Sequence, residues 1–214
     1  MINNLNILLP EIFLSLSIFT ILLLGVFIKK SFNIVFNLSL LILILTITII
    51  LNNPNNEEKI FLDSFIRDGF SNYFKILILI TSLFVLNSSK IFITDNSLDK
   101  FEYPIIILLS ILGMFFMVSS NDLILFYLGL ELQSLSLYIL ASIDRDNLRS
   151  SEAGIKYFVL SALSSGLLLY GCSLLYGFTG STNFDFIANQ LDGENIGAVF
   201  AMVFILVGLA FKVS

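Results

Sequence analysis

Residues 122–142, the fifth in a series of apolar runs, read DLILFYLGLELQSLSLYILAS. A helix of that length spans about 30 Å, the thickness of the hydrocarbon core of a bilayer. Glu131 lies about 13 Å along this helix from Asp122, which is near the middle of the membrane. A carboxylate at that depth costs at least about 2.5 kcal/mol, so by default it indicates a functional site.

The composition of the whole chain agrees with this interpretation. Of its 214 residues, 57% are hydrophobic and 13% are charged, and the mean hydropathy is +0.97. These values exclude an ordinary water-soluble domain. The net charge of −5 argues against nucleic acid or an anionic lipid surface as a dedicated partner. We therefore predict an all-α, polytopic transmembrane helix bundle.

Seven apolar runs have the length and composition of membrane spans. The third is the weakest because short polar stretches interrupt it, and the seventh is still apolar where the sequence stops. The first run lacks the basic start and the small-residue cleavage site of a signal peptide, so we expect it to be a retained span. The predicted bounds are about 8–28, 34–51, 70–93, 101–119, 122–142, 152–176 and 196–214.

The charges between the runs predict the orientation of the chain. The loops after the odd-numbered runs contain six basic residues. The loops on the other side contain only Lys59 and Arg67, while Lys75, at the start of the third run, is ambiguous. By the positive-inside rule, the N-terminus lies outside and the basic loops face the cytoplasm or matrix. The six basic residues are Lys29, Lys30, Lys90, Lys100, Arg145 and Arg149.

Two lysines join Glu131 as charges inside or at the edge of an apolar run, whereas almost every other charge is assigned to a loop. Lys156 lies one turn inside the sixth run, where snorkelling to the interface is an equally good interpretation. Lys212 lies deep in the seventh run; it is buried if the chain continues and juxtamembrane if the chain ends at Ser214.

These residue types suit proton transfer. Burial makes a lysine lose its proton readily, and a neighbouring carboxylate restores the charged form. Glu131, Lys156 and Lys212 are therefore the candidate proton-transfer residues. The alternative for Glu131 is a protonated structural acid that is hydrogen-bonded to a neighbouring helix.

Other chemistries lack the residues that they require. The chain contains no His and a single Cys, Cys172, so haem, iron–sulfur clusters and zinc have almost no possible ligands. It also has neither a Walker loop nor a dinucleotide-binding fingerprint. We expect no cofactor and no metal to be bound by this chain, and we interpret Cys172 as a small packing residue.

Short motifs follow one another in a specific order along the chain. They are LPEI at 9–12, FEY at 101–103, SSNDL at 119–123, LELQSL at 130–135, SEAGIKYF at 151–158, YGFTGST at 176–182 and FKVS at 211–214. Together they resemble the antiporter-like subunit N family of respiratory complex I, the NADH:quinone oxidoreductase (subunit 2 in mitochondria). The resemblance extends over the whole chain and is densest after residue 100.

The resemblance implies the first half of an antiporter-like inverted-repeat fold. Residues 1–100 would form a three-helix region, and residues 101–214 the first part of the repeat, cut within its seventh span. Glu131, Lys156 and Lys212 would line a hydrated half-channel. A full member of the family has about twice this length, so the sequence would be its N-terminal half, either truncated or encoded by a split gene.

The implied function is that of a non-redox membrane subunit of the proton-pumping oxidoreductase, with no catalysis by this chain alone. NADH, FMN, iron–sulfur clusters and quinone would be bound by other subunits. The expected partners are antiporter-like neighbours, small membrane subunits and lipid. The expected location is the bacterial inner membrane or, alternatively, the mitochondrial inner membrane.

Two other functions stay open at this point. The chain could be a subunit of a multi-subunit cation/proton antiporter, which the positions of its Glu and Lys residues also permit. It could also be a structural or assembly scaffold, in which buried charges merely pair across helices.

Overall fold

The structure, a computed structural model, describes residues 6–28, 31–52, 57–96, 98–191 and 195–213. Lys29, Lys30 and Ser214, on which part of the predicted topology rests, lie outside these ranges. The helices and strands are α1 Leu9–Phe27, α2 Phe32–Asn52, β1 Glu58–Ile60, β2 Phe65–Arg67, α3 Gly69–Asp95, α4 Glu102–Val118, α5 Leu123–Ala141, α6 Leu148–Thr179, α7 Phe184–Gln190 and α8 Ile196–Val213.

Each predicted span corresponds to one of the long helices, and most of the bounds agree within two residues. Six helices are long and apolar enough to cross a membrane, and α4 is an apolar helix of 17 residues. Helix α6 is longer than predicted at both ends: the Asn147 side chain accepts a hydrogen bond from the backbone of Arg149, and Gly180 ends the helix with φ 73°. The predicted all-α, polytopic bundle is confirmed.

A short β-hairpin lies at one end of the bundle. Strand β1 pairs antiparallel with β2, and Ile66 on β2 donates a backbone hydrogen bond to Ser119, at 2.8 Å, in the turn between α4 and α5. The loop after α6 joins the same turn, since the Leu123 amide donates to Thr182 over 2.9 Å. We call residues 58–68, 119–122 and 180–185 the outer cap, because the predicted orientation places these loops outside.

Apolar side chains form two main clusters on either side of α4 and α5. Helices α1 to α4 surround the first, which contains Leu14, Phe36 and Phe115, and α5, α6 and α8 contribute to the second, which contains Leu168 and Cys172. Cys172 is a buried packing residue, as predicted. Because α4 packs against both α1 and α5, the division into residues 1–100 and 101–214 stays a prediction.

Two glycines bring α4 and α5 into backbone contact. A Cβ atom on Gly113 would lie 2.6 Å from the backbone nitrogen of Gln133, and one on Gly129 would lie 2.8 Å from the carbonyl oxygen of Gly113. Such distances leave no room for a side chain. This contact fixes how α5, which carries Glu131, sits beside the first four helices.

Candidate proton-transfer site

Glu131 and Lys212, from α5 and α8, form an ion pair inside the bundle. The Lys212 Nζ atom lies 2.6 Å from Glu131 Oε1, and 9% of the lysine side chain and 22% of the glutamate side chain are exposed. The hydroxyl of Ser165, on α6, donates a hydrogen bond to the same carboxylate oxygen. Three helices thus meet at one carboxylate, which has both a cationic and a neutral partner.

Small residues on α6 and α8 set the position of Lys212. A Cβ atom on Gly208 would lie 2.7 Å from the Cβ of Leu168, and one on Gly171 would lie 2.8 Å from the backbone nitrogen of Ile205. The hydroxyl of Ser164 donates to the Gly208 carbonyl over 2.7 Å, about one turn before Lys212. These contacts hold the two helices together closely enough for the lysine to reach Glu131.

A cavity of about 630 Å³ adjoins this ion pair. Lys212 lines it, and Gln133, Ser134 and Tyr157 add polar groups to walls that are otherwise mostly apolar. A water molecule occupies about 30 Å³ of liquid, so this volume can hold a chain of waters. The site therefore combines a carboxylate, an ammonium and room for water.

Lys156 lies apart from this pair. Its Nζ atom is 2.5 Å from Oε1 of Glu152, one turn earlier on α6, and the two side chains are 70% and 56% exposed. The structure thus brings Glu131 and Lys212 together, and it places Lys156 on the exposed side of α6, away from the pair. Its part in proton transfer stays a prediction.

Sequence reasoning missed a second buried ion pair. Lys75 Nζ, on α3, lies 2.6 Å from Oε1 of Glu11, on α1, and the two side chains are 1% and 2% exposed. The ammonium also lies over the rings of Phe65 and Phe115, at 5.3 and 5.8 Å from their centroids. The expectation that almost every charge other than the three candidates lies in a loop fails for Glu11, whereas Lys75, which the sequence leaves ambiguous, lies inside the bundle.

The error has a physical cause. Glu11 and Lys75 lie within the first two turns of their helices, where a charge normally reaches the interface, but here the hairpin covers the end of the bundle. The sequence did contain a signal for this pair. Glu11 and Lys75 have opposite charges and lie within two turns of the starts of α1 and α3, and both starts lie on the predicted outer side of the membrane.

A fourth ion pair lies in the outer cap, outside the membrane-spanning helices. Lys59 Nζ lies 2.7 Å from Oδ2 of Asp185, and the Asn121 side-chain amide donates to the same oxygen over 3.1 Å. The hydrogen bond from Lys59, followed by that from Asn121, lowers the pKa of Asp185. The same bond raises the pKa of Lys59. This pair joins the hairpin to the start of α7.

No group of three or more His, Cys, Asp or Glu side chains in the described ranges is arranged to hold a metal ion. The polar groups brought together at Glu131 are instead the Lys212 amine and the Ser165 hydroxyl. Both donate hydrogen bonds to the carboxylate, and an amine can also release or take up a proton.

Comparison with known proteins shows that both the sequence and the fold are similar to those of antiporter-like membrane subunits. Residues 120–214 match the family described as NADH:quinone oxidoreductase/Mrp antiporter, transmembrane. The chain is 56% identical to NADH-quinone oxidoreductase subunit N of Pelagibacter ubique over 99% of its own length and 45% of that relative. It is 49% identical to subunit N of Parvibaculum lavamentivorans, over 96% of this chain and 43% of the relative.

Two solved structures share the fold. A chain of the respiratory complex I from Thermus thermophilus with bound aureothin superposes with a TM-score of 0.79 at 30% identity, covering 95% of this chain and 43% of that one. A chain of the Mrp complex from Dietzia sp. superposes with a TM-score of 0.72 at 21% identity, covering 96% of this chain and 40% of that one. The second likeness is one of fold alone.

The chain spans less than half the length of the curated relatives that it matches. Its apolar helices and its bacterial relatives agree with the predicted location, a multi-pass protein of the inner membrane. The similarity covers nearly every residue of the chain and includes both members of the Glu131–Lys212 pair. Over nearly its whole length, the chain is similar to antiporter-like membrane subunits, among them NADH-quinone oxidoreductase subunit N.

Proposed function

We propose that this chain forms part of a membrane subunit of a proton-pumping NADH:quinone oxidoreductase and contributes a segment of its proton channel. The observation that carries the proposal is the 2.6 Å ion pair between Glu131 and Lys212 beside a cavity of about 630 Å³. It stands in a chain whose relatives are named as subunit N.

The ion pair can act as a switchable proton store. While Glu131 is ionised, its negative charge stabilises the ammonium form of Lys212. A change of charge nearby that moves the carboxylate away, or protonates it, lowers the proton affinity of the lysine and releases a proton into the cavity. The Ser165 hydroxyl, which already donates to Glu131, can keep its hydrogen bond to this side chain after the contact with Lys212 is lost.

Electron transfer from NADH to quinone would take place in partner subunits, which would also bind the flavin and the iron–sulfur clusters. The antiporter-like and small membrane subunits of the complex would adjoin this chain. We assign to Lys156 the onward relay of protons. Because its side chain is 70% exposed, that role requires a partner or the remainder of the subunit to cover the outer surface of α6.

The proposal is tested by Glu131→Ala in the assembled complex, measured in sealed inner-membrane vesicles. NADH-driven acidification of the vesicle lumen should fall strongly, because Lys212 loses the charge that controls its proton affinity. A matched control is Glu58→Gln, which removes an exposed carboxylate in the outer cap and should leave acidification unchanged. Normal pumping by the Glu131 variant would overturn the proposal.

A cation/proton antiporter is the second candidate, and the fold shared with a chain of the Mrp complex favours it. Identity separates the two, since the subunit N relatives reach 56% whereas that chain reaches 21%. Proton flux that is driven by an imposed sodium gradient, without NADH, would favour the antiporter. Flux that requires NADH would favour the oxidoreductase.

A further inference from the structure

The Glu11–Lys75 pair is more deeply buried than the Glu131–Lys212 pair, yet its carboxylate is poorly satisfied. Both oxygens of Glu11 are inaccessible, and among the described residues no donor is aligned for a hydrogen bond to either of them, although Lys75 Nζ lies 2.6 Å from Oε1. A buried charged oxygen without a hydrogen-bond donor is costly, so a donor from water is the expected remedy.

A cavity of about 270 Å³ provides the place for such water. Glu11 lines it together with Ser15 on α1 and with Phe61, Ser64 and Phe65 of the outer cap. The hydroxyls of Ser15 and Ser64 already donate to backbone carbonyls, at 2.9 and 2.8 Å, so their oxygens remain able to accept hydrogen bonds from water. The cavity therefore runs from the outer cap to the Glu11 side chain, and two serine hydroxyls stand among its mostly apolar walls.

Few other charges act on the pair. Helix α2 carries no charged residue within its bounds, and the single charge of α4, Glu102, stands at the opposite end of that helix. From the outer cap, Arg67 lies on β2, which packs against α3, and Asp68 caps the start of α3.

We propose that Glu11 and Lys75 form a second proton-exchanging site, separate from the Glu131–Lys212 pair, in which a turn of the Glu11 side chain brings its covered carboxylate into the cavity and into contact with water from the outer face. In the proton-loading step, a hydronium ion in the cavity gives a proton to the Glu11 carboxylate, which becomes a neutral acid, and a water molecule is left. Lys75 keeps its ammonium charge, so the pair changes from neutral to singly positive. The reverse step returns the proton to the outer water.

The first test measures access from water. The full chain carries one cysteine, Cys172, which is buried, so background labelling is low. In right-side-out vesicles, a charged thiosulfonate reagent that does not cross membranes should modify Ser15→Cys several times faster than Ser17→Cys. Ser17 is a matched control because it lies on the same helix, also partly buried, but does not line the cavity.

The second test detects the proton itself. Infrared difference spectra of the full chain in detergent, recorded across a pH titration, should show a protonated-carboxyl band that Glu11→Gln removes and Glu131→Gln retains. Persistence of the whole band in Glu11→Gln, or equal labelling of the two cysteine variants, would overturn the proposal. If Glu11→Gln does not fold, the labelling experiment still decides. Neither measurement depends on NADH-driven pumping, so the proposed function can fail without this site failing.

Discussion

Among the described residues, two ion pairs lie inside the helix bundle, Glu11–Lys75 and Glu131–Lys212, which have the same residue types at the same separation but different surroundings. Glu131 has two partners, the Lys212 ammonium and the Ser165 hydroxyl, and Lys212 lines a cavity of about 630 Å³. Glu11 has one cationic partner, whose ammonium lies between two aromatic rings, and adjoins a cavity of about 270 Å³. A carboxylate with two partners keeps one of them when the other is lost, whereas a buried carboxylate with one partner is left unpaired when that partner is lost.

The largest expected effect follows from that difference. Lys75→Met leaves the Glu11 charge buried without a cation, which costs about 3–5 kcal/mol. Lys212→Met should cost clearly less, because Ser165 still donates to Glu131 and 22% of the glutamate side chain is exposed. Denaturant unfolding of both variants in detergent micelles measures the two free energies. Equal losses would contradict the comparison.

Replacing both charges of the enclosed pair sharpens the same point. A buried ion pair exchanged for apolar residues of similar volume is often neutral or stabilising by about 1–4 kcal/mol. Glu11→Leu combined with Lys75→Met should therefore recover most of the stability that Lys75→Met loses. A double-mutant cycle on the free energy of unfolding measures the recovery. A double variant as unstable as Lys75→Met would show that the pair has a structural role beyond charge balance.

The Glu131–Lys212 pair can also be weakened indirectly, by disturbing the close packing of α6 and α8. Gly208→Ala places a Cβ atom 2.7 Å from Leu168 Cβ, so α8 must move away from α6 at an overpacking cost of about 1–3 kcal/mol. Proton pumping should fall while Glu11 and Lys75 are unaffected. Gly177→Ala on α6 is the control: its Cβ meets nothing within 4 Å, and alanine favours a helix by up to about 1 kcal/mol.

The smallest effect concerns the exposed pair in the outer cap. The pKa of Asp185 is lowered by Lys59 and Asn121, so its contribution to stability is present above the ordinary pKa of an aspartate and is lost as the pH falls through its lowered value. Lys59, whose pKa is raised, contributes up to its ordinary pKa and loses that contribution as the pH rises through the raised value. Asp185→Asn should lower the melting temperature slightly at neutral pH. At strongly acidic pH the wild type and the variant should melt alike, and a persistent difference there would contradict the assignment.

Much of the fold was predictable because it depends on local composition. The seven long helices follow from apolar runs of sufficient length, and Glu131 was recognisable because it lies in the middle of one of these runs. The burial of Glu11 and Lys75 was not predictable from their positions near helix starts. It depends on the hairpin, whose Phe65 ring covers the lysine and whose Ile66 bonds to the turn after α4.

The class of the protein, most bounds of its spans and the depth of Glu131 follow from local composition, because hydropathy and helical rise act on neighbouring residues. Which charges meet depends on how the helices pack. Lys212 contacts Glu131, 81 residues earlier in the chain, because glycines allow close packing of α6 and α8. Lys156 instead pairs with Glu152 on its own helix. The rotation of a helix about its axis is set by what it packs against, and that information lies in other helices.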